Sequence, residues 1–181
     1  PFDNSLKLID VQGNRPGPLA GSKPDTFFEN WLQFGSGGTC WSGNGGLYAL
    51  LSSLGFNASR GVATMLVAPH LPPNHGTVLV DIDNSRYLVD ASILHSEPLR
   101  LDEADPTDTR GHSQSWGVRL RFEDKHFNIN WRPLHMPDGL DCRIDYTPAT
   151  LEDFEQRYES TRAWSPFNYE LNLRLIKGDR V

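Results

Sequence analysis

Gly35-Ser36-Gly37-Gly38-Thr39-Cys40-Trp41-Ser42-Gly43-Asn44, running on to Leu47-Tyr48-Ala49-Leu50-Leu51-Ser52-Ser53-Leu54-Gly55, is the stretch on which the fold turns. Its first half is a glycine-rich break. Its second half carries Leu47, Leu50, Leu51 and Leu54 at helical spacing, which predicts a helix from about Cys40 to Leu54 with one apolar face. Gly55 supplies the stop. The first turn of a helix has unpaired N–H groups and a partial positive charge. A cysteine placed there has its thiolate stabilised, and the same N–H groups can donate to an oxyanion. Gly37 and Gly38 leave the backbone open to close approach by a substrate.

Upstream, Asn14-Arg15-Pro16-Gly17-Pro18 gives residues 1–22 a loop-like character. Ser22-Lys23-Pro24-Asp25 opens a short helix that carries Phe27, Phe28, Trp31 and Leu32. Downstream the pattern changes to strands. Val62 to Val67 is one run, Gly76 to Ile82 a second and Arg86 to Ala91 a third. Asp83-Asn84-Ser85 reads as the turn of a hairpin joining the last two. Residues 92–115 read as a long polar loop. Val118 to Phe122 and Phe127 to Trp131 alternate and predict a second hairpin. Pro148 at a first helical position opens a helix over about 149–162, and a last strand covers about 169–176. The order is α+β: helices, then a curled antiparallel sheet, with residues 1–56 the helical part and 57–181 the β-rich part of one shared core.

Composition excludes several classes. The chain has 181 residues, 38% hydrophobic and 22% charged, which suits an ordinary globular domain. A net charge of -6 does not attract phosphate backbones, so nucleic acid is not an expected partner. No apolar run reaches the roughly 18–20 residues that cross a bilayer, so no membrane segment is expected. Two cysteines are too few for a secreted disulfide scaffold. Sequence leaves a Cys40–Cys142 bridge open, but the reading is of two free thiols in a reducing, cytoplasmic setting. Cys142 is expected to pack as a small residue in a strand. No His/Cys/Asp cluster has ligand spacing, so no metal is expected.

A nucleophilic thiol needs a base, and the base needs an orienter. Six histidines compete. His75 stands at the start of a strand, and Asp90 stands on the neighbouring strand of the same hairpin. Asp90 is the only acid in Tyr87-Leu88-Val89-Asp90-Ala91, where a carboxylate needs a hydrogen-bonding partner. His70 is the main rival for the base. His95, His112, His126 and His135 read as solvated. Cys40, His75 and Asp90 are therefore the candidate catalytic residues.

These residues resemble the arylamine N-acetyltransferase family. Gly37-Gly38-Thr39-Cys40-Trp41 with Asn44, then Leu47-Tyr48 and Leu54-Gly55-Phe56, is similar to that family's Gly-Gly-aromatic-Cys segment and its helix. Pro1-Phe2-Asp3-Asn4, Tyr87-Leu88-Val89-Asp90 and Ser165-Pro166-Phe167 with Asn172-Leu173 resemble further family segments in the same order. The resemblance implies a papain-like cysteine-enzyme core and a ping-pong acyltransferase. Cys40 would take an acetyl group from acetyl-CoA and pass it to an arylamine or hydrazine. Phe2 and Phe167 would line the acceptor pocket. Ser36, Thr39 and Ser42 depart from the family pattern, as does Ile93 where an aromatic is usual. Helical and lid segments that family members carry outside these stretches have no counterpart in the sequence. The same triad would also serve a cysteine hydrolase or an amide synthase, and a non-catalytic relative would keep the fold with the triad apart.

Overall fold

The computed structural model describes residues 2–93, 98–101, 117–132 and 138–175. Strand β1 (Phe2–Asp3) leads into α1 (Ser5–Gln12), α2 (Pro24–Phe34) and α3 (Cys40–Ser53). Strands β2 (Asn57–Met65), β3 (His75–Ile82), β4 (Ser85–Val89), β5 (Leu99–Arg100), β6 (Gly117–Glu123), β7 (His126–Arg132) and β8 (Leu140–Ala149) follow. Helix α4 (Leu151–Ser160), two short 3-10 turns and β9 (Leu173–Arg174) end the described chain.

Seven strands form one antiparallel sheet in the order β5-β4-β3-β2-β8-β7-β6, and β1 pairs with β9 in a separate ribbon. The large sheet curls. Leu99 on one edge strand and Val118 and Leu120 on the opposite edge strand sit in the same buried cluster, with Ala63, Ile129, Trp131 and Cys142 between them. Only a sheet rolled nearly into a barrel brings its two edges around one core. A second cluster lies outside the roll. Trp41 of α3 and Phe154 and Tyr158 of α4 pack with Leu19 and Val62 there, and the Trp41 and Phe154 rings meet edge to face at 5.2 Å.

The β3–β4 hairpin is built as the sequence predicts. Asp83 and Asn84 take positive φ angles of 47° and 64°, the conformation of a tight hairpin turn. The register runs from Ile82–Ser85 to Val78–Val89. Thr77 and His75 share a face of β3, so Asp90, one residue beyond Val89, arrives diagonally opposite His75.

Four expectations are corrected. Residues 5–12, read as loop, form α1; the element is fixed by long-range contacts, since Asn4 donates its amide to the Phe167 and Glu170 carbonyls at 2.8 Å each. Helix α4 begins at Leu151 with Thr150 as its N-cap, not at Pro148. The Thr150 hydroxyl accepts from the Asp153 N–H at 3.0 Å, and the Asp153 carboxylate accepts from the Thr150 N–H at 2.9 Å, a reciprocal cap. Pro148 instead lies in β8, where the pairing with β2 slips, as befits a residue with no N–H. The leucine stripe of α3 is not its buried face. Cys40, Trp41, Ser42, Asn44, Gly45 and Gly46 are buried, while Leu50 and Leu54 are exposed. The N-terminal half of α3 is wedged into the molecule and the C-terminal half emerges from it. Finally, Leu99–Arg100 is a strand within the stretch read as loop; most of that stretch lies outside the described residues.

Candidate active site

Cys40 is the first residue of α3, with Thr39 as its N-cap in extended conformation. The cap makes no side-chain hydrogen bond to the first turn, so those N–H groups keep their donating capacity. The preceding chain is pinned: Asp3 donates its N–H to the Gly38 carbonyl at 3.1 Å, and the Asp3 carboxylate accepts from Gly37 N–H at 3.2 Å. A Cβ on Gly38 would collide with the Ser42 hydroxyl and approach Gly43 N at 2.9 Å and the Phe27 ring at 3.0 Å. The glycine is thus required by the packing of the turn onto its own helix and α2, whatever space it also leaves for substrate.

The structure brings Cys40, His75 and Asp90 together. His75 Nε2 is 2.8 Å from Asp90 Oδ2, with both side chains almost wholly out of solvent. The Cys40 thiol lies 3.9 Å from the carbonyl oxygen of Asn74, the residue before His75, and contributes to raising the His75 ring. Burial alone would push the His75 imidazole towards neutrality. The charge and hydrogen bond of Asp90, with contributions from Cys142 and Cys40, outweigh it and hold the ring well above its ordinary value. Burial would likewise raise Asp90. The His75 charge, and hydrogen bonds from His75, Ser92 and Asn44, prevail and hold the carboxyl below its ordinary range. An ionised carboxylate only accepts, so Nε2–H is the donor and Nδ1 is left to deal with the thiol.

Asp90 is held by more than the imidazole. Its Oδ1 accepts from Asn44 Nδ2 at 3.0 Å, Ser92 N at 2.8 Å, Ser92 Oγ at 2.6 Å and Ile93 N at 3.1 Å. Asn44, fully buried, also donates to the Gly76 carbonyl at 2.6 Å and accepts from Ala91 N–H at 2.9 Å. One amide side chain therefore ties α3 to β3 and to the turn after β4. It sits one helical turn beyond Cys40, on the same face.

On the other side of Cys40 opens a cavity of about 210 Å³ lined by Trp131, Leu140, Leu71, Met65, Trp164 and Phe167, with Lys7 and Arg174. Phe167 is thus a lining residue. Phe2 is buried and its ring stacks obliquely on Phe167 at 5.1 Å, supporting the wall. A smaller cavity of about 160 Å³ lies between α2 and α3, against Gly37, Gly38 and Ser92.

A family model described as N-acetyltransferase matches residues 22–179. The chain belongs to the arylamine N-acetyltransferase family. The fold is that of solved arylamine N-acetyltransferases. The Salmonella typhimurium protein aligns at a TM-score of 0.71 with 22% identity, over 94% of this chain and 61% of that one. The Mycobacterium marinum protein in complex with CoA aligns at 0.72 with 19% identity, over 94% and 63%. The Bacillus cereus protein, described as having a Cys-His-Glu catalytic triad, aligns at 0.72 with 18% identity, over 93% and 66%. The chain spans 61 to 66% of the length of these three structures. No curated protein matches the sequence.

Several features around Cys40 in this arylamine N-acetyltransferase family member escape a residue-type reading. Asn44 and Ser92 are uncharged, and their role appears only when α3 meets the β4 turn; the spacing Asp90-Ala91-Ser92 is nonetheless a recognisable side-chain turn. Lys7 is hidden because its helix is. Among the histidines, His70 is exposed. His126 is half-buried, with Nδ1 3.3 Å from the Ile144 carbonyl, not simply solvated. His95, His112 and His135 lie outside the described residues. Ile93 packs into the barrel core. Cys142 is fully buried in β8 and unbridged, its thiol pushed up to about 12, chiefly by burial. Among the described residues no group of three or more His, Cys, Asp or Glu could hold a metal, and no helix is long and apolar enough to cross a membrane.

Proposed function

We propose that the chain transfers an acetyl group from acetyl-CoA to an arylamine or hydrazine through an acyl-Cys40 intermediate, with His75 as base and Asp90 as its orienter. The observation that supports this reading is the buried 2.8 Å bond between His75 and Asp90, beside a thiol at a helix start. The His75 ring accepts the thiol proton at Nδ1. The Cys40 sulfur then forms a bond to the thioester carbonyl carbon, and the bond from that carbon to the coenzyme sulfur breaks. The leaving thiolate takes the proton back from the imidazolium. In the second half-reaction the acceptor nitrogen attacks the acyl-Cys40 carbonyl, His75 takes the amine proton, and the Cys40 sulfur leaves. The charged imidazole formed in both halves is favoured by the Asp90 carboxylate. N–H groups of the first turn of α3 would receive the developing oxyanion.

The apolar wall of the larger cavity, with Trp131, Trp164 and Phe167, favours an aromatic amine over water as acceptor. This sets amine transfer ahead of a hydrolase on the same triad. The buried His75–Asp90 bond likewise weighs against a non-catalytic role. The test is incubation with acetyl-CoA followed by intact mass. One added acetyl group is expected, absent in Cys40→Ala. If the wild-type chain acquires no acyl group from acetyl-CoA or any other acyl-CoA, the proposal fails.

A further inference from the structure

Lys7 carries the one primary amine on the wall of the cavity that also exposes Cys40. It sits in the first turn of α1, only 3% exposed, and that turn is fastened to the one before Cys40. The Asp3 carboxylate accepts from the Ser5 N–H at 2.7 Å, at the start of α1, and from the Gly37 N–H at 3.2 Å, just ahead of α3. Phe2 also bridges to Gly38. Amine and thiol are thus tied together through the backbone. Among the described residues the ammonium has no carboxylate against it; it lies 6.0 Å from the centre of the Phe167 ring. Around it stand Cys40 on α3, Arg162 on the 3-10 turn after α4 and Arg174 on β9. Burial takes the ammonium down to about 8, Arg162 acts in the same direction, and Cys40 opposes them. An ordinary lysine at pH 8 is a free amine less than about 1% of the time, whereas Lys7 is one about half of the time. The opposition from Cys40 is electrostatic, so it ends once the sulfur is tied up in a thioester. Acylation of Cys40 therefore frees the amine further, just as an electrophile enters the same cavity.

We infer that Lys7 is a self-acetylation site: when no acceptor fills the cavity, the acyl group on Cys40 passes to the Lys7 amine. The inference rests on the acyl-Cys40 intermediate proposed above. The Lys7 nitrogen forms a bond to the acyl carbon, and the bond from that carbon to sulfur breaks. The proton shed by the nitrogen goes to the departing Cys40 sulfur, which returns as a thiol. The product is an acetyl-lysine amide, and no further reactant is consumed. Two groups held in one cavity meet at a high effective concentration, so Lys7 is labelled ahead of the exposed Lys23 and Lys125. An amide does not hand the group on as a thioester does. The added acetyl group occupies part of the cavity, so a chain starved of acceptor closes its own acceptor site.

The chain is incubated at pH 8 with acetyl-CoA and no acceptor. Intact mass is followed before and after neutral hydroxylamine, which releases a thioester and leaves an amide. A resistant acetyl group is expected to appear after the releasable one, and peptide mass mapping is expected to place it at Lys7. The releasable group is expected to become the resistant one more slowly at pH 6 than at pH 8, by about tenfold or more. Cys40→Ala is expected to gain no acetyl group at Lys7, and in Lys7→Arg every acetyl group gained is expected to be released by hydroxylamine. A second donor, 4-nitrophenyl acetate, loads a thiol without the coenzyme. Loading by this ester but not by acetyl-CoA refutes the proposed donor, while a Lys7 amide formed through Cys40 in that arm still supports self-acetylation. A thioester at Cys40 that never passes to Lys7 overturns the inference and leaves the transferase reading standing. Equal labelling of Lys7 in Cys40→Ala overturns it too, since the amine then takes the group straight from the donor. No acetyl group from either donor overturns both.

Discussion

The two cysteines of this chain are both buried and both interact with His75, yet their surroundings differ in kind. Cys142 lies inside β8, flanked by β2 and β7, with its backbone committed to ladder pairing. Burial there outweighs the His75 charge that would favour its thiolate, and the thiol is pushed up to about 12. Cys40 lies at the start of α3, where N–H groups are unpaired and a cavity opens. Burial is thus common to both, and it is the backbone around the sulfur that separates the proposed nucleophile from a packing thiol.

The sharpest way to break this comparison is to exchange the roles. Cys40→Ala is expected to lower acetyl transfer by about four orders of magnitude or more, as loss of a nucleophile does elsewhere, while Cys142→Ala leaves acylation by acetyl-CoA intact. Steady-state rates and intact mass on both variants decide it; acylation at Cys142 would overturn the contrast. Asp90→Asn comes next, with a loss of about 10²–10⁴-fold in turnover, because an amide does not stabilise the imidazolium. Asn44→Ala acts through Asp90. It leaves the Gly76 carbonyl and the Ala91 N–H without their partner, at a cost of about 1–3 kcal/mol. Turnover is expected to fall about tenfold to a hundredfold, with a shifted pH profile that a purely structural lesion would not produce. The smallest effect belongs to Cys142→Ala, about 1 kcal/mol of stability from a lost sulfur contact in the core, measured by denaturant unfolding.

The His75–Asp90 pair also sets a pH window. Asp90 is lowered on folding, so its contribution to stability is full above 3.8, the ordinary carboxylate value, and is lost as pH falls through its folded value. His75 is raised, so its contribution is full below 6.5 and is lost as pH rises through its folded value. The gap in melting temperature between the parent chain and Asp90→Asn is therefore widest between these two values and narrows on either side. A gap constant across the range would show that the pair does not titrate with folding.

What the sequence discloses here is local. The break into α3, the turn at Asp83-Asn84 and the strand on either side of it follow from nearest neighbours, and they suffice to bring His75 and Asp90 face to face. What it conceals is assembled across the chain. Helix α1 is anchored through Asn4 to residues more than 160 positions away, so its own pattern carries little signal. The buried face of α3 is set by what packs on it, Phe27 at Gly46 and Phe154 at Trp41, not by its leucines. The start of α4 was legible in Thr150 and Asp153, but the proline nearby is the stronger local signal and points two residues too early. For the site, the three candidate side chains could be chosen by residue type. The amide that holds the carboxylate, and the buried lysine of α1, required the folded chain.

The hairpin that carries the carboxylate has an arithmetic of its own. From the reversal at Asp83-Asn84 to Asp90 the chain runs through the five residues of β4 with no bulge recorded. Because consecutive side chains alternate between faces, adding or deleting one residue in that arm would aim the carboxylate away from the imidazole. Changing it by two would restore the aim but displace the group by about 7 Å along the strand. The arm obeys a parity rule and a length rule together, so a homologue can alter the reversal itself far more freely than the five-residue count between it and its acid.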